Sequence, residues 1–273
     1  MKIITWNINR FNGTSASKIW IEARKCYLKE VFEYIKLHIK EKDDIILLQE
    51  FPYQWELPEA IKGKYKILSW YDVEGEKKFI NTESGRTEKN RNSGPISLTI
   101  AIVTAESHWN LKKFDDAINF GKFGEKFNYV NKYVQLRNEK SEIELLGIHM
   151  PARDMQAKDP RQGIEELINA FDNKGKDYVP HIIVGDFNAG DYEKDKESQD
   201  FKENREKYRK LIKTYKYKDV IKNTTTNYAK PTEIDHVLIT KTFLKEYECE
   251  STVQYEKELS DHYPIVVKLK KKH

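Results

Sequence analysis

Two apolar runs that stop abruptly on polar residues constrain this chain more than any other feature. Asp44-Ile-Ile-Leu-Leu-Gln-Glu50 and His181-Ile-Ile-Val-Gly-Asp-Phe-Asn188 are continuous rather than alternating, which is the pattern of a strand buried on both faces. A strand covered on both sides needs a layer above and a layer below it, so the chain reads as layered α/β. Seven further β-branched or aromatic runs occupy Ile3 to Ile8, Lys64 to Trp70, Ile96 to Thr104, Lys132 to Arg137, Ile143 to His149, Ile234 to Thr240 and Tyr263 to Lys268. Nine strands predict sheets packed face to face.

Between the first two runs, Ile19, Ala23, Tyr27, Leu28, Val31, Phe32, Ile35 and Ile39 recur at three and four residues. That spacing builds the apolar stripe of a long helix covering one sheet. A second helix is predicted from about Pro160 to Phe171, with Asp159 as N-cap and Pro160 at the first helical position. A third lies within Asp200 to Tyr215. Asp72 to Pro95 is rich in Gly, Asn, Ser and charged residues without apolar periodicity, and reads as a long excursion between strands. No repeat or low-complexity segment divides the 273 residues, and the 33 aromatic residues supply a large core, so one domain over 1–273 is expected.

Charge narrows the partners only a little. The 48 basic and 44 acidic residues make a mixed surface, which permits a polyanionic substrate without demanding one. Cys26 and Cys249 stand far apart without metal-type spacing, and reduced, structural thiols are expected. No run of 18 apolar residues occurs and the N-terminus lacks a signal-type run, so the sequence reads as soluble and cytoplasmic, without a membrane.

The chemistry gathers where apolar runs end. Asp186 and Asn188 follow the run at Ile182 two positions apart, which puts a carboxylate and an amide on one side if the strand continues. Gly185, Asp186 and Asn188 also suit a β-turn. Glu50 ends its own run, either as a hard-cation ligand or as the start of a solvated loop. Asp261-His262 precedes the last strand, and Asp235-His236 lies inside another. A His with a carboxylate partner is the common device for proton transfer near neutral pH. Neighbours on a strand point to opposite faces, so Asp235 is preferred to His236 for the site. His149 ends the run from Ile143 with Arg153 close behind; a satisfied core histidine is the alternative there.

In order along the chain, Thr5-Trp-Asn-Ile-Asn9, Leu48-Gln-Glu50, Gly147-Ile-His149, Gly185-Asp-Phe-Asn188, Ile234-Asp-His236 and Ser260-Asp-His262 resemble the endonuclease/exonuclease/phosphatase (DNase I-like) superfamily. The resemblance implies a four-layer α/β sandwich, two mostly antiparallel β-sheets face to face with helices outside. It implies a Mg2+ site, with Mn2+ as a substitute, held by Glu50 and Asp261, with Asn7 and Asn9 lining it. Asp186 would activate or orient the attacking water, and Asn188 would hold a phosphate oxygen. His262, oriented by Asp235, would act as acid/base or stabilise developing charge, with His149 as a second histidine. Asn7, Asn188, His149 and Arg153 would contact substrate. Carboxylates and amides suit Mg2+, whereas no Cys/His cluster suits zinc.

Departures narrow the branch. AP endonucleases place a tyrosine where this chain has His149, and continue the Gln-Glu segment with Thr-Lys where Phe51-Pro52 stands here. Inositol phosphatases follow Asp-x-Asn with Tyr-Arg, where this chain has Ala189-Gly190. The leading expectation is a nuclease or DNA-end phosphodiesterase acting on nucleic acid, DNA favoured, as a monomer. Arg86, Lys89 and Arg91 in the long excursion would meet backbone phosphates, or simply be solvated. The alternatives are a phosphatase or phosphodiesterase acting on an inositol phosphate or sphingomyelin-type head group, and a binding module that keeps the fold without the reaction.

Overall fold

All nine apolar runs become strands. The structure, a computed structural model, describes residues 1–11, 13, 21–52, 62–69, 97–112, 122–123, 127–128, 132–150, 160–175, 179–189, 199–221, 224–227, 232–255 and 259–272. Its strands are β1 (Lys2–Asn7), β2 (Ile45–Pro52), β3 (Tyr65–Leu68), β4 (Ser97–Thr104), β5 (Trp109–Leu111), β6 (Lys122–Phe123), β7 (Phe127–Asn128), β8 (Tyr133–Asn138), β9 (Glu144–His149), β10 (Ile182–Asp186), β11 (Tyr217–Asp219), β12 (Asp235–Thr240), β13 (Tyr247–Val253) and β14 (Ile265–Lys271). The helices are α1 (Ile21–His38), α2 (Pro160–Lys174), α3 (Gln199–Thr214) and the single turn α4 (Phe243–Glu246).

Two six-stranded sheets carry the fold, in the orders β13-β14-β1-β2-β4-β3 and β11-β12-β10-β9-β8-β5, and β6 pairs with β7 in a separate ribbon. Each large sheet holds one parallel pair near its centre, β1 with β2 and β9 with β10. Its other neighbours are antiparallel. Alternation assigns the faces. Ile3, Ile45, Leu47 and Val103 of the first sheet share one buried cluster with Leu145, Ile182, Val184 and Val237 of the second, which forms the seam between the sheets. The sheets come close at Gly147, where a Cβ would lie 2.1 Å from Leu47 Cδ2.

The opposite positions face the helices. Val31, Phe32 and Ile35 of α1 are buried with Ile4, Trp6, Ile46 and Leu48, while Leu167 and Phe171 of α2 and Leu211 of α3 are buried with Leu146, Ile148 and Ile183. The layers are thus helix, sheet, sheet, helix, the four-layer α/β sandwich. The helices fall where periodicity places them, and Pro160 opens α2; its expected cap Asp159 and the excursion Asp72 to Pro95 lie outside the described residues.

Five strands carried no apolar run to reveal them. β13 alternates half-buried with exposed residues, and its Glu248 and Glu250 stand opposite Lys270 and Lys268 of β14. An edge strand of this kind takes its structure from pairing and not from a buried face. No helix among the described residues is long and apolar enough to cross a membrane. Cys26 is exposed and Cys249 half-buried, both as free thiols.

Candidate active site

At one end of the seam the inward positions turn from apolar to polar. Along β10 these are Ile182, Val184 and Asp186, along β9 Leu145, Gly147 and His149, and along β12 Ile239, Val237 and Asp235. Register then sets Asp186 directly beside His149 on one side and beside Asp235 on the other. Directly paired residues share a face, so a row Asp235, Asp186, His149 crosses the second sheet, and all three are buried. From the first sheet Asn7 reaches across the seam and donates from Nδ2 to Asp186 Oδ2 at 3.0 Å.

His262 closes the row from the segment before β14. Its Nδ1 lies 2.8 Å from Asp235 Oδ2, and its Nε2 lies 4.0 Å from Asp186 Oδ2 and 3.0 Å from the side-chain amide of Asn227, which must turn its oxygen to the ring when Nε2 carries a proton. The backbone is pinned on three sides: the Trp6 indole donates to the His262 carbonyl, the His262 N–H donates to Ser260 Oγ, and that hydroxyl donates to the Asn7 carbonyl. Burial by itself would lower the His262 pKa, but the charge and hydrogen bond of Asp235, with Asp186 and Asp261 adding, push it up to about 10. The ring is therefore an imidazolium at neutral pH.

Asp186 is pushed the other way in charge terms. Burial and the neighbouring Asp235 charge raise it to about 7, against His262 and the hydrogen bonds from the Asn188 backbone and Asn7. A carboxyl poised there exchanges a proton readily at neutral pH. His149 is held neutral: burial, then the charges of Lys132, His262 and Arg10, carry its pKa well below the ordinary value. Lys132 Nζ sits 3.2 Å from His149 Nδ1. An ammonium can only donate, so the ring keeps its proton on Nε2, which faces Asp186 Oδ2 at 3.8 Å and Glu50 Oε1 at 3.7 Å.

Glu50 arrives by a bulge. The register of β2 against β4 shifts between Leu48 and Phe51, and Glu50 takes φ 57, which breaks the alternation and re-aims the side chain. Glu50 Oε2 lies 3.2 Å from Arg10 Nε, an ion pair whose N–H is not aligned on the oxygen. Asn9, Arg10 and Phe11 all have positive φ, a strained turn of the kind that collects at functional sites. Asp261 is half-buried; burial, then the Glu50 charge, raises its pKa. Glu50 and Asp261 thus form an oxygen-rich pair whose mutual repulsion a hard cation would relieve. Asp186, Asp235 and His262 also bring three ligand atoms within 4.8 Å of one another, with His262 Nδ1 already paired to Asp235 Oδ2.

The other predicted residues are placed as follows. Asn188, at φ 47, donates from its backbone N–H to Asp186 Oδ1 and from Nδ2 to the Met150 carbonyl. Asn9 turns its amide to the Gly13 carbonyl and gives its backbone N–H to Asn7 Oδ1. Asp235 faces His262 while His236 faces the other side, toward Asp219. Arg153, Arg86, Lys89 and Arg91 lie outside the described residues.

Arg10, Lys132 and Asn227 were not anticipated. Arg10 directly follows the Thr5 to Asn9 segment and could have been suspected from that position. Lys132 and Asn227 carry no local pattern, because only long-range pairing brings them to the histidines.

Residues 145–266 match the endonuclease-reverse transcriptase family, a span that includes His149, Asp186, Asn188, Asp235, Asp261 and His262. No curated protein matches the chain. Among solved structures, an AP endonuclease from Archaeoglobus fulgidus is similar at 17% identity and TM-score 0.60, covering 98% of each chain. A 3′ phosphatase from Neisseria bound to product DNA hairpin is similar at 12% identity and TM-score 0.61, covering 99% of each. An endonuclease/exonuclease/phosphatase from Bacteroides vulgatus is similar at 16% identity and TM-score 0.58, covering 99% of this chain and 98% of its own. At such identities the likeness speaks for the shared fold.

Proposed function

We propose that this chain is a phosphoric ester hydrolase of the DNase I-like endonuclease/exonuclease/phosphatase kind that cleaves phosphodiester bonds of nucleic acid, with DNA the favoured substrate and Mg2+ the working ion; the family match over residues 145–266 and the shared fold support this reading. The observation that carries this reading is the Asp235, Asp186, His149 row closed by His262. It places a carboxyl near its protonation midpoint beside one charged and one neutral imidazole, which suits attack on a phosphate. The Neisseria structure, bound to DNA, supports the choice of polymer. The pairing of β1 with β14, strands far apart in sequence, supports reading residues 1–273 as one folded unit.

Asp186 takes the proton of the attacking water as the water oxygen bonds to phosphorus. The bond from phosphorus to the leaving oxygen breaks as charge builds there. His262, charged and clamped by Asp235, directs Nε2–H toward the non-bridging oxygens and stabilises the charge of the pentacoordinate phosphorus. With a pKa of about 10 it acts as a fixed donor, not as a base. Neutral His149 offers Nε2–H as a second donor. Asn7 and the Asn188 turn hold Asp186 in line. Glu50 and Asp261, with Asn7 beside them, would hold a divalent cation, whose chemistry is to offset phosphate charge as a Lewis acid.

The test is a substrate panel of plasmid, linear duplex, single-stranded DNA, inositol phosphates, nucleotides and sphingomyelin, each with Mg2+, Mn2+ or EDTA. DNA cleavage that EDTA abolishes and that Glu50→Gln and Asp186→Asn lose is the expected result. Cleavage no greater than that of the Asp186→Asn protein, or turnover confined to the small esters and lipid, would overturn the reading.

A further inference from the structure

Behind the site, on the faces of β10 and β12 turned away from the seam, lies a second set of buried polar side chains. His236, Asp219, Tyr208 and Glu233 are each less than a tenth exposed. His236 Nε2 lies 2.7 Å from the Ala189 carbonyl, and its Nδ1 lies 2.7 Å from Asp219 Oδ2. The Tyr208 hydroxyl donates to the same Asp219 oxygen and lies 3.0 Å from His236 Nδ1. Glu233 Oε1 is 3.8 Å from that nitrogen, and Glu233 Oε2 accepts the Thr224 N–H at 2.9 Å. A carbonyl and a carboxylate only accept, so both ring nitrogens donate.

The ligand atoms of Asp219, Glu233 and His236 come within 4.8 Å of one another, but a ring that donates twice has no lone pair for an ion. What it grips is more informative. Alternation sends Asp186 into the seam and Phe187 out of it, and Phe187 meets the rings of His236 and Tyr208 edge-on at centroid distances of 5.4 Å and 5.8 Å. Ala189 gives its carbonyl to the same imidazole. On β12 the partner of His236 in alternation is Asp235. This stretch carries an unusual backbone: Gly185 takes φ 138, which glycine alone adopts freely, and Asn188 takes φ 47, a conformation that costs free energy in a residue with a side chain.

We infer that His236 is a positioning residue, which fixes the turn from Asp186 to Ala189 from behind and, through its own strand, sets Asp235 against His262. The inference rests on the reading of Asp186 and Asp235 as part of the reacting site. One buried ring therefore sets the spacing of the two carboxylates without touching substrate.

The test is the double variant His236→Phe with Asp219→Asn, which keeps a ring against Phe187 and removes the charge that would otherwise be left unpaired. On bis(p-nitrophenyl) phosphate with Mg2+, kcat falls about 10- to 100-fold with KM little changed, as for other residues that orient a reacting group from behind. Backbone amides from 187 to 189 lose hydrogen-exchange protection, and the NMR signal of the His262 Nδ1 proton moves. Unchanged exchange and an unmoved His262 signal would overturn the inference, as would wild-type kcat. If the double variant does not fold, Tyr208→Phe removes one hydroxyl of the network and is judged by the same exchange and NMR readouts. Those readouts need no turnover, so an inactive wild-type protein whose exchange still responds sinks the functional reading and leaves the clamp standing.

Discussion

Replacing Asp235 by Asn removes one charge from between His262 and Asp186 while keeping the size of the side chain. The rise of His262 from 6.5 to about 10 amounts to about 5 kcal/mol in favour of the charged ring, at about 1.4 kcal/mol per tenfold change in proton affinity. Burial opposes that rise, and Asp235 leads the three carboxylates that produce it. Asp186 in turn is raised to about 7 by burial and then by the Asp235 charge. One substitution therefore acts on both groups in the same direction.

In the wild type, activity needs Asp186 ionised and His262 protonated, so kcat/KM rises through about pH 7 and falls through about pH 10. In Asp235→Asn the Asp186 limb moves down because a like charge has gone, and the His262 limb moves down because its counter-charge has gone. The whole bell shifts to lower pH, and its height falls about 100- to 10,000-fold, the usual range for loss of a group that orients and charges a catalytic histidine. The assay is the pH dependence of kcat/KM on a phosphodiester with saturating Mg2+. A lower bell with both limbs in place would refute the electrostatic role of Asp235, and limbs moving in opposite directions would refute the coupling.

Two further outcomes follow from single positions. The Asp186 carboxyl is raised above its ordinary value, so its contribution to stability is present below about pH 3.8 and is lost as pH rises through about 7. Asp186→Asn, neutral throughout, therefore gains on the wild type across that window by on the order of 4 kcal/mol; thermal melts in EDTA at acid and at mildly alkaline pH measure the difference, and a gap that does not change with pH contradicts it. Gly185→Ala puts a methyl 1.9 Å from the Ile148 carbonyl oxygen at φ 138, which costs about 3 kcal/mol or more; a urea midpoint near that of the wild type would refute a steric requirement for glycine between β9 and β10.

Much of the fold was legible because its signals are local. Continuous runs such as Ile45 to Leu48 and Ile182 to Val184 declare strands covered on both faces, and the three- and four-residue spacing from Tyr27 to Ile35 declares α1. β13 was not legible, because its alternating Glu and Lys partners become a strand only against β14. Within the site, the positions of Asp186, His149 and Glu50 at strand ends could be read directly, and alternation separated Asp235 from His236 before any contact was known.

The sequence by itself determined which residues alternate inward and where apolar strands give way to polar ends, since those follow from covalent geometry that repeats every two or four residues. Only the tertiary structure decided which ends meet. Register joined Asp186 to both His149 and Asp235. A bulge re-aimed Glu50, and a strained turn brought Arg10 to it while sending the Asn9 amide to Gly13. Antiparallel pairing of β8 with β9 delivered Lys132 to His149, and a bridge between Asn227 and His262 joined that second pair. Protonation is the clearest case: a histidine's charge depends on what is buried beside it, and those neighbours are Lys132, His262 and Arg10 for His149 but Asp235, Asp186 and Asp261 for His262.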